Sequence, residues 1–112
     1  MPDIRHQGPR PAGHVVFLVG PQISNAVITL AAGDALPAGQ VLAKHNDNYA
    51  AYDPASEDYN TAAAVLWSNE PARTAPASAA ATLRLATLRA DDLTGLDAAA
   101  RTALAGEFII ME

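Results

Sequence analysis

The chain is 112 residues long, the size of one domain, with a formal charge of −5 and no cysteine. Its basic side chains are scattered (Arg5, Arg10, Lys44, Arg73, Arg84, Arg89 and Arg101) and form no cluster to meet phosphates, which argues against a nucleic-acid partner, while the missing thiols exclude disulfides, cysteine catalysis and cysteine-ligated zinc. No apolar run approaches the ~20 residues that span a bilayer, and the first residues lack a signal peptide's charged start and apolar core, so a soluble intracellular protein with no membrane partner is expected.

Residues 1–14, "MPDIRHQGPRPAGH", hold three prolines, two glycines and one branched aliphatic side chain. Such a stretch cannot offset its own ordering entropy and reads as a flexible N-terminal arm, ahead of a single β-rich domain over residues 15–112. "HVVFLVG" (14–20) is a compact run of β-formers closed by Gly20 and Pro21. "ISNAVITLAAG" (23–33) follows, with Ile23, Val27, Ile28 and Leu30 as its apolar content, and "GDALPAGQ" (33–40) is turn chemistry. "QVLAK" (40–44) is a short strand, and "HNDN" (45–48) is a tight turn because Asn and Asp tolerate the left-handed region. Tyr49 and Tyr52 flank the next short strand, which Asp53 and Pro54 close because proline cannot donate to a ladder.

"ASEDYN" (55–60) is a polar loop. "TAAAVLW" (61–67) is locally ambiguous, since alanine favours helix while Val65 and Trp67 favour strand; hairpin partners on either side decide for strand. "SNEPARTAPASA" (68–79) is a long loop, and "ATLRLATLRA" (81–90) alternates as a half-exposed strand, with Leu83 and Leu85 on one side and Arg84 on the other. In "DDLTGLDAAARTALAG", Leu93, Leu96, Ala100 and Leu104 share one helical face. Thr94 with Asp97 resembles a capping box, and Gly106 stands where a left-handed C-terminal cap belongs. "EFIIM" (107–111) is a closing strand. The fold class expected is mainly β, built of short strands, with one short C-terminal α-helix.

Nothing in the chain carries a catalytic pattern. His6, His14 and His45 share no metal-binding spacing, and the serines lack nucleophile-elbow glycines. Asp53, Glu57 and Asp58 fall in a loop of small residues, where solvated charge is the ordinary outcome, and they lack the ligand period of a calcium loop. Tyr49, Tyr52 and Trp67 read as cross-strand packing, with a sugar platform as the competing reading. No catalytic, cofactor-binding or metal-binding residue is assigned, no cofactor is expected, and the protein reads as a non-enzyme. Half of the chain counts as hydrophobic, yet 26 of those residues are alanine and only 24 are Leu, Ile, Val or Phe. Alanine buries little area, so the core is lean, and further apolar burial between subunits or against a larger partner is expected.

The order of the pieces adds a resemblance. "AGQVLAK", a turn, "YAAYDPASED", then "NTAAAVLW" and the ending "LDAAARTALAGEFIIME" resemble the head decoration proteins of tailed bacteriophages, from about residue 27 to the C-terminus. Tyr59-Asn60 stands where that family commonly has a glycine, a departure that Asn can accommodate. The resemblance implies a β-clip-like fold that assembles as a homotrimer on the outer surface of the expanded head in the virion, after assembly in the host cytoplasm. There it would stabilise the shell against internal DNA pressure. It also implies an N-terminal arm that orders on the major capsid protein; Ile4, Arg5, His6, Arg10 and His14 are the arm residues assigned to that contact. The alternative is a small bacterial β-domain serving as a binding module for a carbohydrate or protein ligand.

Overall fold

A computed structural model describes residues 13–18 and 24–112 of the chain. The protein is mainly β. Among the described residues the strands are β1 (Val15–Leu18), β2 (Asn25–Leu30), β3 (Val41–His45), β4 (Asn48–Ala51), β5 (Ala62–Leu66), β6 (Ala77–Thr82), β7 (Ala86–Leu88) and β8 (Ile109–Met111). Among the same residues a 3-10 turn covers Ala90–Asp92, and an α-helix, α1, covers Ala98–Ala105. Five strands close a barrel in the order β2-β4-β3-β5-β6, and the other three form a separate sheet in the order β1-β7-β8. The barrel shuts where β2 runs antiparallel to β6 along its whole length, Asn25 opposite Thr82 to Leu30 opposite Ala77, and parallel to β4 at its far end.

Strands β3 and β5 pair with each other and are covered on both faces. One face lines the barrel interior, where Leu42, Ala64 and Leu66 meet Ile28, Leu30 and Tyr49. The other face, Val41, Ala43, Ala62 and Val65, packs against Ala100 and Leu104 of α1 and against Ala86, Leu88 and Ile109 of the second sheet. A strand alternates its side chains with a period of two, so Ala62 and Ala64 should share a face. They do not, because the register slips between Leu42 opposite Ala64 and Ala43 opposite Ala62, leaving Ala63 as an extra residue. The strand assignment for "TAAAVLW" holds, and its alanines let a helix and a sheet lie close on either side of it.

The strand expected over 81–90 is two elements. β6 ends at Thr82 in the barrel, β7 starts at Ala86 in the other sheet, and Leu85 between them adopts a left-handed backbone with φ 53°. Ser24 holds this corner: its carbonyl accepts from the Leu83 and Arg84 amides, and its hydroxyl donates to the Leu85 carbonyl at 3.0 Å. Leu83 and Leu85 are still half-buried and Arg84 exposed, so the alternation marked burial correctly while missing the corner.

The helix is also shorter than its apolar face. Gly95, with φ 85°, interrupts it, and Thr94 bridges to Gln40. The N-cap is therefore Asp97 alone, whose side chain accepts from the Ala100 amide at 2.7 Å, and Thr94 plays no part in a capping box. Leu93 and Leu96 nevertheless pack on the same cluster as Ala100 and Leu104. Gly106 is right-handed (φ −62°, ψ −23°) instead of the left-handed cap expected; Phe108 takes the left-handed conformation, with φ 60°. The turn at 45–48 forms as expected, with Asn46 at φ 54° between β3 and β4.

The β2–β3 and β5–β6 connections run side by side, bridged at Gly33 to Arg73 and Leu36 to Glu70. Arg73 fastens them, donating from Nε to the Ala31 carbonyl at 2.9 Å. At the base of this excursion Gly39 has φ 88°, and a Cβ there would lie 2.6 Å from the Asp92 carbonyl oxygen. Gly39→Ala should therefore destabilise the fold by about 2 kcal/mol or more, through both strain and the clash, as read from a chemical denaturation midpoint. Gly33→Ala, whose added Cβ meets only the end of the Arg73 side chain at 3.8 Å, should lose less.

Candidate functional site

The aromatic and acidic residues of 45–67 do not converge on a catalytic centre. Tyr49 is buried in the barrel interior, whereas Tyr52, three residues later, belongs to the cluster on the opposite side of β3 and β5. They cannot share a flat sugar platform, and neither pairs with the half-buried Trp67 as a cross-strand stack. Asp53 turns back on its own loop, accepting from the Ala55 amide at 2.9 Å, and Ser56 likewise accepts from the Asp58 and Tyr59 amides. Asp58 lies 3.9 Å from His45, both solvent-exposed, and His45 stacks edge-on with Tyr59 at 5.8 Å between ring centres. Among the described residues no three His, Asp or Glu side chains gather as a metal site.

The chemistry in this region is structural. The Tyr52 hydroxyl donates to the Asp97 carboxylate at 3.0 Å, and that same carboxylate caps α1. Burial first, then the hydrogen bond to Asp97 and the charges of Asp97 and Asp53, push the Tyr52 phenol above the usual tyrosine range. The partners lie 45 residues apart, and no local pattern in the sequence pairs them.

An open groove of about 470 Å³ runs along Lys44, Thr61, Ala62, Arg84, Ala103 and Glu107. The Lys44 ammonium sits 5.8 Å above the Tyr49 ring at one side. No nucleophile is paired with a base among its lining residues, so the groove offers mixed charge and little chemistry.

The surfaces suited to contact are elsewhere. Val27 on β2 is 75% exposed, Phe108 67% and Ile110 on β8 50%. Val27 lies opposite Ala80 and Thr29 opposite Ser78 on the outer wall of the barrel. This wall belongs to the longest charge-poor part of the chain: no Asp, Glu, Lys or Arg occurs from Phe17 to Gly33 or from Thr74 to Leu83. That stretch was legible in the sequence. The exposure of Ile110 follows from the period of two in β8, in which Ile109 points in.

Of the arm residues assigned to a capsid contact, Ile4, Arg5, His6 and Arg10 lie outside the described residues. His14 lies inside them and is buried, 2% exposed, at the start of β1. Its carbonyl accepts from the Arg89 amide at 2.8 Å, while its Nε2 has no hydrogen-bond partner among the described residues. Burial pushes its imidazole below the usual histidine range, partly opposed by the charge of Asp92.

The family model described as bacteriophage lambda head decoration protein D matches residues 5–109. No curated protein and no solved structure gives a significant match. The match covers nearly the whole chain, and the protein belongs to this family of phage head proteins, a structural and not an enzymatic class.

The Tyr52–Asp97 link gives a measurable ordering. Asp97→Ala should cost about 1 kcal/mol from the lost helix cap, plus the loss of the Tyr52 partner, and so should destabilise more than Tyr52→Phe. In an alkaline absorbance titration Tyr52 should ionise above the usual tyrosine range, and Tyr52→Phe should remove that step. Because its folded phenol is harder to ionise than its unfolded one, Tyr52 contributes stability that falls as pH rises above the ordinary tyrosine value.

Proposed function

We propose that the chain, as a member of the head decoration family, binds the outer surface of the expanded phage head as a homotrimer and stabilises it against internal DNA pressure. It does so by attaching to the major capsid protein in the virion, after assembly in the host cytoplasm. The observation that carries this reading is the span of the family match, which begins at Arg5 and ends at Ile109 and so includes most of the arm together with nearly all of the β domain. The physical features agree. In a chain of formal charge −5, copies repel one another except where charge is absent, and the wall around Val27 is such a surface. The core is lean for the chain's size, which favours further burial between subunits.

In this reading Ile4, Arg5, His6 and Arg10 supply the contact with the shell. An arm that orders only on binding gives up conformational entropy, and three arms engaging together offset it through effective concentration. His14, buried at the head of β1, anchors the arm to the domain instead of touching the shell.

Expanded shells lacking this protein should take it up in multiples of three, read as added density by electron microscopy. Removing residues 2–12, a deletion that leaves β1 and His14 in place, should preserve trimers in light scattering and abolish uptake. Full decoration by the truncated protein would overturn the arm's role, and a monomer at micromolar concentration would overturn the trimer.

A further inference from the structure

His14 is a titratable side chain that the decoration reading leaves without a task beyond anchoring. It sits at the entry of β1, which is four residues long, forms one edge of its sheet and carries a register slip between Val15 and Phe17. An edge strand this short has few ladder bonds, so what happens at its end decides whether it stays seated. That end is held by the bond from the Arg89 amide to the His14 carbonyl and by the burial of the imidazole.

The corner around the ring offers little to a proton. β7, the partner strand of β1, bears no ionisable side chain. The adjoining turn brings Arg89, Asp91 and Asp92, and Glu112 follows β8, its carbonyl accepting from the Ala90 amide at 3.2 Å. Of these charges it is Asp92 that acts on the ring, in the direction that welcomes a proton, and burial outweighs it. A buried Nε2 with no acceptor would become an N–H with no acceptor once protonated, and a charged ring would lie out of water.

We propose that His14 is a proton-operated latch: neutral, it seats β1 on β7 at the edge of the second sheet, and protonated, it releases the start of β1 while the barrel stays closed. The inference concerns the chain by itself and stands or falls independently of capsid binding. The sign follows from linkage. The closed state takes up a proton less readily than the open one, so closed and open are balanced by structure alone above the ordinary histidine range. Opening then grows as pH falls below that range, until the closed form itself protonates. Each unit by which the closed ring lies below its free value is worth about tenfold in the opening equilibrium.

Hydrogen exchange of the full chain at pH 7.5 and pH 5.0, corrected for the intrinsic rate, tests this by mass spectrometry. Peptides covering Val15–Leu18 should lose protection at the lower pH, while those covering Ala62–Leu66 in the barrel keep theirs. In His14→Gln the pH dependence in β1 should vanish. In Asp92→Asn, an exposed position, the loss on acidification should become larger, because the charge that favours the imidazolium is gone. An NMR titration of the wild-type imidazole covers the case in which the glutamine variant folds poorly. A His14 that titrates at or above the free value, or a β1 whose protection is the same at both pH values, would overturn the latch. So would His14→Gln opening with acid as the wild type does.

Discussion

The fold depends on one pair of strands that is buried on both faces where the two strands pair, from Val41 to Ala43 and from Ala62 to Val65. β3 and β5 form the wall between the barrel interior and a second layer made of α1 and the β1-β7-β8 sheet, and both faces of the pair are buried. With helix and sheet pressed on one side and barrel side chains on the other, large residues cannot occupy every position. Ala43, Ala62 and Ala64 stand there, and α1 meets the wall through Ala100 as well as Leu104. The alanine content that makes the core look lean therefore has a structural role: it sets the distance at which two layers share a central wall. Replacing these positions with larger side chains would overpack both layers, since interiors at this density have little room to adjust.

Two polar fasteners keep the second layer in place. Asp97 is at once the cap of α1 and the acceptor for Tyr52, which leaves the wall at the end of β4. Orienting the helix and seating the loop after β4 are thereby one event. Close to this first fastener, Gln40 donates from Nε2 to the Val41 and Thr94 carbonyls, while Thr94 donates its amide to Gly39, and the Val41 carbonyl also accepts from the Tyr52 amide. The chain reaches this point only because Gly39 can approach the Asp92 carbonyl without a Cβ. Neither fastener adds much energy alone, but each removes a rotation of the helix relative to the wall.

The sequence was most legible where the signal is local. The Asn46 turn, the strand in "QVLAK", the Asp53–Pro54 stop and the placement of the late helix all follow from residues within a few positions of each other. It was least legible where a distant contact overrode a local pattern. The alternation in 81–90 is real, yet the chain must leave the barrel and enter the second sheet, and Ser24, some sixty residues away, holds the corner at Leu85. The helical face from Leu93 to Leu104 is also real, but the bridge from Thr94 to Gln40 takes its first turn away. Gly106 was expected in the left-handed region from composition; the chain enters that region two residues later, at Phe108, so that β8 can run parallel to β7. The aromatics of 49–67 misled as a possible site because a strand sends neighbours to opposite faces, and here both faces are core.

The two layers also differ in how their edges end, and this bears on how load would pass through the molecule. A closed barrel has no free edge, so no strand of it can be peeled away singly. The three-stranded sheet has two edges, β1 and β8, both short. β1 leads along the chain into β2 of the barrel, and β6 of the barrel leads into β7 through the Leu85 corner that Ser24 holds, so tension on the residues before β1 would act first at the His14 corner and pass to the barrel through these connections as well as through the shared wall. The charge-free wall of β2 and β6 lies on the barrel, so contacts made there would be independent of the state of the β1 edge.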